Sequence, residues 1–149
     1  MKKITLEILE KLDACEGQRD LFAAEWPDGA TATKANCLRA AELGLCFKWA
    51  AENLLPATAL ADYRTATDSA LADYRKSMDS SLVEYRKAVA PAMAEHDTDP
   101  AWAEYDKATA PALAEYKKAI APALAECKKV CALAFWRAWR GQELSGSRA

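Results

Sequence analysis

The sequence predicts an all-α protein, with a small N-terminal helical unit followed by a long antiparallel hairpin of two helices. The main observation is a repeat of eleven residues, the length of three turns of α-helix. Each repeat therefore returns its apolar residues to the same helix face. The repeat is marked by five tyrosines, namely Tyr63, Tyr74 and Tyr85, then Tyr105 and Tyr116. A second observation is that the five glycines and six prolines lie mostly between apolar segments, which is typical of helices joined by few loops.

Residues 1–56 lack the repeat and are predicted to form a compact unit of short helices. Pro27-Asp28-Gly29 predicts a turn within this unit, because proline presets φ and glycine accepts positive φ. Thr31 or Thr33 is placed to cap the following helix, which should end at Gly44. The other helices are predicted at 4–15, 19–26 and 47–55.

The repeats in 57–140 are predicted to form two arms of nearly equal length. The spacing changes between Met93 and Trp102, which are nine residues apart instead of eleven. There, Asp99 and Pro100 have the pattern of an N-cap and the first position of a new helix. Two such arms joined by a short loop predict an antiparallel hairpin about 55–60 Å long at 1.5 Å per residue. A single extended arm that self-associates is the alternative. The two arms are 57–95 and 100–140.

The apolar stripe of each arm is predicted to form the seam of the hairpin. Its aromatic positions are Tyr63, Tyr74, Tyr85, Trp102, Tyr105 and Tyr116. In the repeat 112–122, the stripe contains Ala112, Leu113, Tyr116, Ala119 and Ile120.

Three prolines, Pro91, Pro111 and Pro122, fall within the arms. A proline inside a helix removes a backbone hydrogen bond and costs about 3 kcal/mol. Each of these lies away from the apolar stripe, where water can reach the freed carbonyl. This placement favours continuous helices that bend at each proline, and the alternative is a set of short rods broken at each proline.

The C-terminal end of the second arm gains bulky residues, with Phe135, Trp136 and Trp139 interleaved with Arg137 and Arg140. One interpretation is a hydrophobic plug that joins this end to the N-terminal unit. The other is a binding surface, because tryptophan and arginine are enriched at interaction hot spots. The candidate interaction surface comprises Trp136, Arg137, Trp139, Arg140, Trp26 and Trp49. Beyond it, 141–149 is predicted to be a flexible tail.

The sequence does not predict an enzyme, a cofactor or a metal site. His96 is the single histidine, and it occupies a position that is Tyr in neighbouring repeats, so the sequence predicts neither a catalytic triad nor a histidine relay. Cys127 and Cys131 have the spacing of half a zinc site, but no second pair matches them, and two buried thiols are the favoured interpretation. There is no glycine-rich phosphate loop.

Composition predicts a protein of the cytosol with reduced thiols. The five cysteines are odd in number, no secretion signal precedes them, and no apolar run approaches the ~20 residues of a membrane span. The net charge is −2, with acidic residues concentrated in 95–106 and basic residues in 117–148. An intramolecular match between these segments is favoured over nucleic-acid binding.

Several segments of the chain occur together in a characteristic order, namely Trp26-Pro27-Asp28-Gly29, the stretch 38–45, Trp49, Leu54-Leu55-Pro56 and the Ala-Pro-Ala-Leu-Ala-Glu-Tyr repeats that follow. In this order they resemble a group of small proteins of tailed phages and prophages. The resemblance implies expression in the host cytosol during infection, and it brings no catalytic residues. The chain departs from it at Ser69 and Ser80, where repeats lack proline, and at the tryptophan-rich end.

The leading functional hypothesis is a non-enzymatic phage protein that binds and modulates a host or phage protein, and inhibition of a host defence system is one form of it. A structural coiled-coil assembly formed with copies of itself is the first alternative. Weak binding to a lipid surface through the amphipathic repeats is the second.

Overall fold

The computed structural model describes residues 3–95 and 102–146, with the side chains of 3–94 and 105–142. Within these residues, the predicted all-α class and the pair of long helices packed as a hairpin are confirmed. In chain order the elements are β1 (Lys3–Ile4), α1 (Leu6–Lys11), α2 (Glu16–Glu25), β2 (Ala30–Thr31), α3 (Lys34–Leu43), α4 (Phe47–Leu54), α5 (Ala57–Glu95) and α6 (Trp102–Gly146).

The chain divides into two compact units, and the division differs from the predicted boundary at residue 56. The first unit is formed by Met1–Asp68 together with Cys127–Ala149, and the second is formed by Ser69–Glu126. The first unit therefore includes the beginning of α5 and the end of α6. The reason is the bulk at the end of α6, where Phe135 shares one hydrophobic core with residues of α3 and α4.

The helices of the first unit are capped by threonines. Thr5 Oγ1 accepts a hydrogen bond of 3.4 Å from the Ile8 amide at the start of α1, and Thr33 Oγ1 accepts one of 3.1 Å from the Asn36 amide at the start of α3. Of the two predicted caps of α3, Thr33 is therefore the one used. Gly44 ends α3 with φ +83°, as predicted.

A short antiparallel ladder in the first unit was not predicted from the sequence. Lys3 pairs with Thr31, and Ile4 pairs with Ala30, so Ile4 lies in β1 and not in the first helix. Strands of two residues are too short to show the alternation by which a strand is recognised in a sequence. The turn before β2 requires glycine, because Gly29 has φ +80° and a Cβ there would lie 2.7 Å from the Ile4 carbonyl oxygen.

The main core of the first unit is built around the end of α6. Phe135 is 2% exposed, and its ring centroid lies 5.5 Å from that of Phe47 and 5.8 Å from that of Trp139. Ala51 and Ala132 are completely buried, which lets the helices approach closely around these rings. The buried residues of this core are Cys37, Ala40, Ala41, Phe47, Ala51, Leu55, Ala59, Tyr63, Ala132, Ala134, Phe135, Ala138 and Trp139.

The second unit contains most of the repeats, and its seam is only partly buried. The rings of Tyr85 and Tyr116 lie 5.8 Å apart, so tyrosines of the two helices contact each other, as the predicted seam requires. The buried positions lie four residues after a tyrosine of the repeat. Val89 occupies this position in α5 and is 4% exposed, and Thr109 occupies it in α6 and is 6% exposed. The stripe is narrower than predicted, because Leu113 is 39% exposed. Ala119, predicted in the same stripe, is also exposed.

The three prolines of the arms lie inside continuous helices. Pro91 is part of α5, while Pro111 and Pro122 are part of α6. All three are exposed, which confirms that they lie away from the seam. The alternative of short rods broken at each proline is therefore wrong.

The second arm starts near residues that the structure does not describe, and it ends later than predicted. The predicted N-cap Asp99 and the residue Pro100 lie outside the described residues, and so does the side chain of Trp102. At the other end, α6 continues to Gly146, although the sequence predicted that the arm ends at residue 140 and that a flexible tail follows.

None of the described helices contains a stretch apolar enough to cross a lipid bilayer.

Candidate functional site

The structure separates the six residues of the predicted interaction surface into four environments. Trp139 is 4% exposed and belongs to the main core, so the prediction that it forms part of a surface is corrected to the plug interpretation. Its indole packs against Phe135, which occupies the previous turn of α6. Trp136, three residues before it, is only half-buried.

Trp136 and Arg140 lie on a cleft of the first unit, which we name the α3–α6 cleft. The end of β2 and the start of α3 form one wall, and the last turns of α6 form the other. It encloses about 210 Å³. The lining residues are Thr31, Ala32, Thr33, Lys34, Trp136, Trp139 and Arg140.

The guanidinium group of Arg140 stacks on the indole of Trp136. Its central carbon lies 5.3 Å from the ring centroid, within the range of a cation–π contact. The two residues are one turn apart on α6, so the helix itself brings them together. A guanidinium group carries five N–H donors in one plane, so Arg140 can contact the indole and still donate hydrogen bonds to a ligand.

The charged residues on the α3–α6 cleft are both basic. Lys34 and Arg140 are exposed, and no carboxylate is found among the lining residues. Neither base takes part in an ion pair with a side chain in the described part of the chain, where the pairs include Arg39–Glu25 and Arg64–Glu52. The first turn of α3 also contains no acidic residue. The cleft is therefore a positively charged site with an aromatic floor.

Arg137 is predicted for the same surface but lies in a different hollow. It is exposed and lines a depression between the start of α5 and the end of α6, together with Asp62. The remaining residues of this hollow are Pro56, Thr58, Ala59, Ala66, Ala134, Ala138, Gly141 and Gln142. Arg137 and Arg140 are therefore two similar side chains in different electrostatic surroundings.

Trp26 and Trp49 line an apolar cavity elsewhere in the first unit, with a volume of about 90 Å³. The Phe22 and Trp26 rings contribute one wall, with their centroids 5.3 Å apart. A polar residue at its edge, Gln18, is already engaged, because its side chain accepts a hydrogen bond from the Cys46 amide and donates one to the Gly44 carbonyl. These tryptophans pack against core clusters and do not extend the α3–α6 cleft.

Cys37 and Cys127 are buried, which confirms the prediction for Cys127, whereas Cys131 is only half-buried and Cys15 and Cys46 are exposed. Burial raises the pKa of Cys37 to about 12 and, with the nearby Cys131 thiol, that of Cys127 to about 11. The pKa of the Tyr63 hydroxyl is also raised, chiefly by burial. Among the described residues, no group of three or more His, Cys, Asp or Glu side chains is arranged to hold a metal ion.

The α3 side of the cleft, which includes Lys34, was not predicted from the sequence. Lys34 and Arg140 are far apart in the chain, and neither belongs to a local motif that includes the other. The weak signal in the sequence was the alternation of tryptophan and arginine in 136–140, which identified one wall only. Comparison with protein families, with curated proteins and with solved structures finds no match to this chain.

Proposed function

We propose that this chain is a non-enzymatic, phage-encoded protein-interaction module that binds and modulates a host or phage protein through the α3–α6 cleft. Inhibition of a host defence system is one form of this function. The observation that carries the proposal is the pair formed by Trp136 and Arg140, in which a half-buried indole holds a cation without a counter-ion among the described side chains.

Two further observations support a binding role. Tryptophan and arginine are the residue types that most often contribute strongly to protein–protein binding. Both sides of the cleft are held by contacts within the protein. Thr33 accepts a hydrogen bond from the Asn36 amide at the start of α3, and Trp139 of α6 is buried in the core. A rigid surface loses little conformational entropy when a partner binds.

The test is a pull-down from a lysate of phage-infected bacteria with three immobilised proteins: the wild type, Arg140→Ala and Arg137→Ala. We expect one stoichiometric partner on the wild type and on Arg137→Ala, and its loss on Arg140→Ala. The Arg137 variant is a matched control, because it removes an exposed arginine of the same helix from a different hollow. Recovery of the bait alone in all three experiments contradicts the proposed function.

Self-association through the second unit is a second candidate function, and one observation favours it. The tyrosines Tyr74, Tyr85, Tyr105 and Tyr116 are all only half-buried in the single chain. A second copy would remove more of these rings from water. Sedimentation at tens of micromolar protein tests this candidate, since a strict monomer excludes assembly as the role of the repeats.

A further inference from the structure

We infer that the partner segment recognised by the α3–α6 cleft is an acidic peptide in which a carboxylate lies next to a bulky apolar side chain. The inference rests on the proposed function and specifies its ligand. Its first support is the uncompensated charge of the cleft, where Lys34 and Arg140 face no carboxylate among the lining residues.

The stacking of Arg140 indicates a carboxylate in particular. A guanidinium group presents its N–H donors in one plane, and this geometry matches the two oxygens of a carboxylate. The Arg140 guanidinium lies over the indole of Trp136, with its central carbon 5.3 Å from the ring centroid, and no carboxylate is found among the lining residues of the cleft. This contact restricts the side chain before a ligand binds, so a bidentate contact immobilises less of it than it would for a free arginine.

The floor of the cleft accounts for the apolar part of the ligand. Trp136 and Ala32, which are both half-buried, supply apolar surface beside the two cations, and the buried Trp139 also lines the cleft. The enclosed space of about 210 Å³ is several times the roughly 30 Å³ that one water occupies in the liquid. A large side chain next to the carboxylate would fill this space and bury the exposed part of the indole.

The charges favour a peptide over a nucleic acid. Double-stranded DNA carries a negative charge about every 1.7 Å, and binding it requires a row of cations along its backbone. The α3–α6 cleft offers two cations, and the whole chain has a net charge of −2. A short acidic segment matches two cations without a large cost in repulsion from the rest of the protein.

The experiment measures fluorescence anisotropy of the full chain with four labelled probes. They are a twelve-residue peptide with alternating glutamates and a central phenylalanine, the same peptide with glutamine for each glutamate, the same acidic peptide with alanine for the phenylalanine, and a twelve-nucleotide single-stranded DNA. We expect the first peptide to bind most tightly and to weaken as salt is raised from about 50 to 200 mM, since exposed charges are screened.

Variants then locate the binding site. Arg140→Ala should weaken binding of the acidic phenylalanine peptide about tenfold, which corresponds to about 1.4 kcal/mol. Lys34→Ala should weaken it several-fold. Arg137→Ala and Lys48→Ala are the matched controls, since each removes an exposed base that does not line the cleft. Circular dichroism of each variant checks that the fold is retained.

Three outcomes overturn the inference. They are equal affinity for the glutamate and glutamine peptides, equal effects of Arg140→Ala and Arg137→Ala, and tighter binding of the oligonucleotide than of any peptide. The pull-down separates these failures from failure of the proposed function. A stoichiometric partner that is lost with Arg140→Ala, combined with no preference for acidic peptides, leaves the function standing and rejects the ligand chemistry.

Discussion

The two compact units of this protein bury their residues in different ways. In the first unit, large aromatic side chains from distant parts of the sequence meet in one core, with Phe135 and Trp139 among the most buried. In the second unit, the same few residue types recur every eleven positions, and the buried side chains include those of Val89 and Thr109. A unique core therefore depends on single residues, whereas a repeated seam distributes its stability over many modest contacts.

The largest expected effect is that of Phe135→Ala in the first unit. It should lower the free energy of unfolding by about 3–5 kcal/mol, because it removes a fully buried ring. Tyr85→Ala, which removes a half-buried ring from the second unit, should cost about 1–2 kcal/mol. Urea denaturation followed by circular dichroism compares the two variants. Tryptophan fluorescence reports mainly on the first unit, since four of the five tryptophans, Trp26, Trp49, Trp136 and Trp139, belong to it and only Trp102 belongs to the second. Equal losses of unfolding free energy in Phe135→Ala and Tyr85→Ala would contradict the proposed difference between the two units.

Gly29→Ala should have an intermediate effect, because it tests a single irregular position of the first unit. The residue has φ +80°, and the new Cβ would lie 2.7 Å from the Ile4 carbonyl oxygen, so a loss of about 1–3 kcal/mol is expected. Gly17→Ala is the matched control. It lies inside α2 with open space around the added Cβ, and it should stabilise the helix by up to about 1 kcal/mol. In thermal unfolding, we expect the midpoint temperature of Gly29→Ala to fall below that of the wild type and the midpoint temperature of Gly17→Ala to rise above it.

The smallest effect is expected for Thr109→Val in the second unit. The Thr109 hydroxyl donates a hydrogen bond of 3.0 Å to the Tyr105 carbonyl one turn earlier, a bond that adds little to helix stability. Valine already occupies the equivalent buried position at Val89. We expect a change below about 1 kcal/mol, and a larger loss for Thr109→Ala, which also removes a buried methyl group. A valine variant less stable than the alanine variant would show that the hydroxyl itself is required.

The fold of the repeats could be predicted from the sequence because their signal is local and periodic. The spacing of tyrosines predicts which helix face is buried, and the contact between Tyr85 and Tyr116 agrees with it. The exposed positions of the three prolines follow from the same periodicity. The ladder of β1 and β2 could not be predicted in this way, because it is formed by two-residue segments that are far apart in the chain.

The candidate site was only half predictable for a related reason. A sequence shows that Trp136 and Trp139 lie near each other on one helix, but it does not show which of them the rest of the chain covers. Their difference in burial is set by residues of α3 and α4, more than eighty positions earlier. Lys34 enters the site for the same tertiary reason, and no local pattern in the sequence connects it with Arg140.

The regular seam of α5 and α6 has a consequence for how the length of this protein can change over generations. Deleting one eleven-residue module from each helix would shorten each by about 16 Å at 1.5 Å per residue, and every surviving side chain would keep its orientation. Deletions that do not span a whole number of helical turns would rotate the remaining segment about the axis and separate tyrosines that now meet. Homologous genes that differ by one module in each helix should therefore differ by sixty-six nucleotides, since the two modules together take twenty-two codons.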